Sequence, residues 1–191
     1  MAPCSPEEEL ARARAGEPAA FATLVRVHQR SVYSLALRML GNREQAEDLA
    51  QEVFLQLHRM LGTIASATHL QFWLRKVTTH RAIDSLRRRP AGEQPLQESE
   101  VHRVAVAAAN SPDPLLQRHL ESLIMQLAPA PRAVLLLRYQ EDLDPVDIGN
   151  VLDMPVNTVK SHLKRSLATL RETFGLDRPR DVDANAGGML E

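Results

Sequence analysis

Apolar residues recur at three- and four-residue steps along most of this chain, which is the spacing of one face of an α-helix. Phe21, Leu24, Val25, His28, Val32, Leu35, Ala36 and Met39 form the first such stripe, and Gly41-Asn42 supplies its stop. A second runs from about Arg43 to Leu61 through Ala46, Leu49, Ala50, Val53, Leu57 and Met60, with Gly62 ending it. A third begins near His69 and carries Phe72, Trp73, Leu74, Val77, Ile83 and Leu86. Its periodicity is blurred, which predicts a kink or burial on several sides. Leu115, Leu116, Leu120, Leu123, Ile124 and Leu127 make a fourth, closed by Ala128-Pro129, and Pro131 opens a fifth through Val134, Leu135 and Leu137. Period-two alternation is rare, so the pattern predicts an all-α protein.

Residues 87 to 114 break the pattern. They hold four prolines and show no sustained apolar period outside Val101 to Ala109. The reading is two small helical domains joined by a flexible linker. A flexible tail spans 1–18, the first domain 19–89, the linker 90–114, the second domain 115–175 and a flexible tail 176–191. Domains this small bury only about 60% of their unfolded surface, so each gains from a partner.

Composition adds little until the charges are mapped. The 191 residues carry a net charge of -1, but the signs are segregated. Gln71 to Pro90 holds six basic residues (Arg75, Lys76, Arg81, Arg87, Arg88, Arg89) against Asp84, and Pro155 to Phe174 holds Lys160, Lys164, Arg165 and Arg171 against Glu172. Two basic stretches inside a near-neutral chain are candidate nucleic-acid surfaces. No apolar run reaches the roughly 18 residues that span a bilayer, and the acidic start MAPCSPEEELARARAGEP lacks the features of a signal peptide, which predicts a cytoplasmic protein. Cys4 is the only cysteine, so no internal disulfide forms, and its place in the expected tail makes it incidental.

The second basic stretch has further organisation. Asp144-Pro145-Val146-Asp147 is a helix start, with Asp144 as cap, Pro145 at the first helical position and Asp147 placed to reach back as a capping-box acid. That helix ends at Leu152. After Asp153-Met154-Pro155-Val156, Asn157 is the expected cap of a second helix whose inward stripe is Val159, Leu163, Leu167 and Leu170. Short helix, tight turn and basic helix make a helix-turn-helix. Lys160, Ser161, Lys164 and Arg165 fall on the face opposite the stripe, where a recognition helix presents side chains to a major groove. Between residues 43 and 61, Asp48, Gln51, Glu52 and Leu55 cluster roughly opposite Leu49, Val53 and Leu57. By pattern alone this is a partner surface or a solvated acidic face with one leucine.

LAPAPRAVLLLRYQEDLDPVDIGNVLDMPVNTVKSHLKRSLATLRE resembles the fourth conserved region of extracytoplasmic-function sigma factors, in the sigma-70 family. AEDLAQEVFLQLHRM followed by FWLRKVTTHRAIDSLRRR is similar to that family's second region, in family order and spacing. The resemblance implies a factor that binds core RNA polymerase and directs promoter-specific initiation. It implies docking of Asp48, Gln51, Glu52 and Leu55 on the clamp coiled coil of the largest subunit, with the flap as a further contact. The loop Gly62 to His69 and the helix after it are implied to hold an unpaired base of the minus-10 element, because unstacking costs a few kcal/mol that a pocket must offset.

On the same ground His80, Arg81, Arg87 and Arg88 become minus-10 contacts, the arginines to phosphates. His80 stands where many relatives carry asparagine, which puts direct base contact there in question. Trp73 reads better as core. Thr158, Lys160, Ser161, Lys164 and Arg165 become minus-35 contacts. Asp153 and Asn157 replace usual glycines, as residues that tolerate left-handed geometry, and Gly149 replaces a frequent alanine at about 0.5 to 1 kcal/mol, which predicts a loose helix-turn-helix. Promoter DNA and a membrane-bound anti-sigma factor are the implied further partners, with the protein held at the inner membrane by the latter.

An enzyme finds no support in GxxxxGK[ST], HExxH or paired cysteines, so no catalytic residue, metal ligand, cofactor or small-molecule substrate is assigned. The alternatives are a conventional helix-turn-helix regulator, which would not need the Asp48 patch, and a sigma-like mimic acting through protein contacts, which would lack the basic stretches.

Overall fold

A computed structural model describes residues 5–88 and 114–173 of the chain. The order is α1 (Pro6–Arg14), α2 (Pro18–Leu40), α3 (Arg43–Met60), a 3-10 turn (Leu61–Thr63), α4 (Ala67–Arg88), α5 (Pro114–Gln126), α6 (Pro129–Tyr139), α7 (Pro145–Leu152) and α8 (Val156–Thr173). Among the described residues there is no strand. Arg89, the expected linker with Val101 to Ala109, Cys4 and the expected C-terminal tail lie outside the described residues.

The caps explain most boundaries. Gly41 adopts φ 67°, the left-handed geometry in which a side chain is disfavoured, and its N–H donates to the Leu37 carbonyl, ending α2. Asn42 then caps α3 by accepting from the Gln45 N–H at 2.9 Å. α4 is one continuous helix; its blurred period reflects burial of Leu70, Leu74, Thr78, Thr79, Ala82 and Ile83 on more than one side.

Four details differ from the expectations. The chain from Pro6 to Arg14 is helical rather than a flexible tail. Ser5 and Glu8 form a capping box, and Leu10 and Ala13 are buried at 2% and 4% exposure, contacts that offset the entropy of ordering the segment. α6 starts at Pro129, since Ala128 supplies its N-cap and the Arg132 N–H donates to the Ala128 carbonyl. α8 starts at Val156: the Thr158 and Val159 N–H groups both donate to the Pro155 carbonyl, so Asn157 lies inside the first turn, neither cap nor left-handed. Leu115, Leu116 and Leu120, expected on the apolar stripe of α5, are exposed.

In the first domain α2, α3 and α4 pack around Leu24, Val32, Leu35, Met39, Val53 and Leu57, with α1 laid across them. In the second, α6, α7 and α8 meet at Val134, Leu137, Ile148, Val151 and Val159. Full burial of such a side chain contributes about 1.5 to 3 kcal/mol. The two cores are continuous, because α4 packs against α6 and α7, and α2 against α6. Arg132, 5% exposed, fastens this junction. Its guanidinium donates to the carbonyls of Met125 and Leu127 beside the end of α5, and to the Met39 carbonyl in the last turn of α2. A buried cation belongs there, since those carbonyls carry the negative end of the helix dipoles.

Candidate polymerase and promoter interface

On α3, Asp48, Gln51, Glu52 and Leu55 are all exposed, Leu55 at 53%, while Leu49, Val53 and Leu57 on the far side are buried. The helical spacing therefore produces one acid-amide-acid face around an unsheltered leucine. A polar groove between this face and α4 is lined by Asp48, Glu52, Arg81, Asp84 and Arg88.

The expected minus-10 residues do not stand alike. Arg81 is held: its Nε and Nη2 donate to the Gln56 Oε1 at 3.1 and 2.8 Å, and its Nη1 pairs with Glu52. His80 is held from the other side, with Nε2 3.0 Å from the Val151 carbonyl and 3.5 Å from an Asp153 carboxylate oxygen. Arg87 is exposed, and Arg88 donates from Nε to the Asp84 carbonyl at 3.2 Å in its own helix. Trp73 is half-buried and packs on the core.

Next to His80, the basic face of α4 meets acids of the second domain. Arg75 Nε donates to Glu141 at 2.7 Å, and Lys76 Nζ to Asp153 at 2.6 Å. Asp153 sits in the left-handed cap of α7 (φ 51°), as its residue type allows. The hydrogen bond from Lys76, reinforced by the charges of Lys76 and His80, holds its carboxyl below the usual carboxylate range.

In the helix-turn-helix, Asp144 caps α7 by accepting from the Val146 and Asp147 N–H groups at 2.7 and 2.8 Å. Gly149 is a close-approach glycine. A Cβ there would lie 2.9 Å from the Met154 carbonyl oxygen, and the Met154 N–H already donates to the Gly149 carbonyl at 3.0 Å. The glycine thus tightens the turn rather than merely loosening the helix. On α8, Lys160, Ser161, Lys164 and Arg165 form one exposed face, and Thr158 at its start is half-buried. Val159, fully buried, and Leu163 anchor the opposite side.

Residues 24–91 match the family model of Sigma-70 region 2, and residues 117–170 that of Sigma-70 region 4. The RNA polymerase sigma factor CarQ of Myxococcus xanthus is 30% identical over 86% of this chain and 94% of its own length. The chain belongs to the sigma-70 family. The ECF RNA polymerase sigma factor SigW of Bacillus subtilis (strain 168), 28% identical over 87% of this chain and 95% of that relative, places it in the extracytoplasmic-function group. Its fold is that of CnrH, solved in complex with the cytosolic domain of CnrY, at a TM-score of 0.63 and 21% identity over 88% of this chain and 96% of that one.

As a sigma factor the protein directs promoter-specific transcription initiation, with core RNA polymerase and promoter DNA as partners; sigma factors are not enzymes. Among the described residues no helix is long and apolar enough to cross a membrane. Sequence reasoning missed four residues of this sigma factor that its structure brings to the site: Gln56 and Glu141, which bind α4 arginines, Asp153 as a partner of Lys76, and Glu7, whose carboxylate reaches α4 from α1. Periodicity carried no signal for any of them, because each acts across elements.

Proposed function

We propose that this sigma factor docks on the clamp coiled coil of the largest polymerase subunit through Asp48, Gln51, Glu52 and Leu55. In the same reading α4 and the Gly62 to His69 loop engage the melted minus-10 strand, with Arg81, Arg87 and Arg88 on phosphates and His80 beside the bases. Thr158, Lys160, Ser161, Lys164 and Arg165 engage the minus-35 duplex, and the second domain contacts the flap. The observation that carries the docking assignment is Leu55, 53% exposed amid Asp48, Gln51 and Glu52 on an otherwise polar face. An exposed leucine ringed by charge suits the centre of a patch whose polar rim selects the partner.

Asp48→Arg tests it. Reversing an interface charge sets like charges together at a cost of up to several kcal/mol, so pull-down of core polymerase should be abolished with helicity unchanged. Glu52→Lys is the less clean variant, because Glu52 also holds Arg81. Core binding by Asp48→Arg at the wild-type level overturns the assignment.

Restraint by a membrane-bound anti-sigma factor belongs to the same proposal, as does a cytoplasmic location with tethering at the inner membrane. Two grooves of mixed lining support it: one sets Val27, Val32, Leu35 and Leu74 beside His28 and Arg75, the other sets Leu120, Ile124, Met125 and Leu136 beside Arg38 and Glu121. Each suits the apolar face of a short amphipathic helix. Co-expression with neighbouring open reading frames and affinity capture should recover a stoichiometric partner. Full promoter activity with no such partner refutes the restraint.

A further inference from the structure

Glu7 and Ala67, the first residue of α4, are sixty residues apart, yet the Glu7 Oε1 accepts from the Ala67 N–H at 2.9 Å. The bond closes one of the N-terminal donors that a helix cannot satisfy internally, and a carboxylate is the group that a helix N-terminus favours. The neighbouring donor is closed locally, by Ser66 Oγ accepting from the His69 N–H at 3.1 Å, and His69 Nδ1 accepts from the Ala65 N–H at 3.0 Å. Ile64 is fully buried, whereas Gly62, Thr63, Ala65 and Thr68 are exposed. The loop is thus pinned beneath and open above, with Glu7 supplying the pin from outside the loop. α1 delivers that carboxylate rigidly, since its capping box and the buried Leu10 fix the helix against the domain.

We infer that Glu7 is a positioning residue for minus-10 recognition: by capping α4 across the chain it sets the Gly62 to His69 loop in the shape that accepts the unpaired base. The inference rests on the reading that this loop holds the base. A pocket offsets unstacking only if its walls are already in place, because ordering a loop at the moment of binding subtracts from affinity. Glu7 makes no contact with the base and acts through the backbone of Ala67.

The test uses the full chain assembled with core polymerase and a fluorescent single-stranded oligonucleotide selected by the wild-type holoenzyme from a pool randomised across the minus-10 positions. Glu7→Ala should weaken oligonucleotide binding about fivefold, the scale of one net hydrogen bond, and flatten base preference. Core affinity and duplex minus-35 affinity should stay at wild-type levels. Glu7→Gln keeps the accepting oxygen and should restore binding. Wild-type affinity for Glu7→Ala, or equal losses in Glu7→Ala and Glu7→Gln, overturns the role. Gly62→Glu is the control on the reading beneath it, since a Cβ at Gly62 meets nothing within 4 Å and a carboxylate there repels DNA without disturbing the fold. If Gly62→Glu binds as well as wild type, the loop is not the base site and the inference falls with that reading. If Gly62→Glu is weakened and Glu7→Ala is not, Glu7 alone is refuted.

Discussion

Asp153 and Lys76 are 77 residues apart in the chain and 2.6 Å apart in space, joining the turn of the helix-turn-helix to the basic face of α4. With Arg75 on Glu141 and His80 on the Val151 carbonyl, they make a polar seam between the region 2 and region 4 domains. Arg75 and Lys76 of the basic α4 face are thus paired with carboxylates of the same chain, whereas Arg87 remains exposed.

Loosening of this seam is the expected result of Lys76→Glu, which places two carboxylates together. An exposed pair contributes about 0 to 1 kcal/mol, so its loss shifts the populations of docked and separated domains by up to about fivefold. Fluorescence transfer between dyes on α2 and α8 should fall in Lys76→Glu and recover in Lys76→Glu/Asp153→Lys. No recovery in the double variant would dissociate the pair from domain docking.

The stability of the protein should fall as pH drops below about 6.5, the ordinary imidazole value. Burial, and then the Arg75 guanidinium, lower the pKa of His28 in the folded protein. Between the lowered and the ordinary value the unfolded chain binds the extra proton, so stability rises with pH through that window and is fully present above it. Urea midpoints across this range should be flatter for His28→Asn; parallel curves for the two proteins would remove His28 as the cause. Asp153 gives a second loss at more acid pH. Its depressed carboxyl contributes fully above the ordinary carboxylate value, and the contribution disappears as pH falls through the lowered one.

Gly149→Ala would be stabilising by about 0.5 to 1 kcal/mol in an open helix. Here the added Cβ meets the Met154 carbonyl oxygen, a backbone atom, at 2.9 Å. The expected outcome is a lower Tm and weaker duplex binding by the turn and α8. An increase in Tm would show that the turn moves aside without cost.

On α8, Lys160→Ala should cost about 1 to 3 kcal/mol and relax preference at one minus-35 position. Arg165→Ala should weaken all duplexes alike, as loss of a phosphate contact does. Equal losses on specific and random DNA for Lys160→Ala would remove its base-reading role.

What the chain by itself determined is what local physics determines. The all-α class follows from the apolar period, the end of α2 from Gly41, the cap of α7 from Asp144, and the exposed faces around Asp48 and Lys160 from positions opposite buried stripes. The apolar contacts that order Pro6–Arg14 were hidden because Leu10 is one leucine in an acidic run, and its worth depends on the surface it meets. Only tertiary structure decided which charges are free. Arg81 and Lys76 look equivalent to Arg87 in sequence, yet the first two are paired with Glu52 and Asp153 while Arg87 stands exposed. A Coulomb interaction depends on distance in space, and nothing in the periodicity of one helix encodes the distance to a residue 77 positions away.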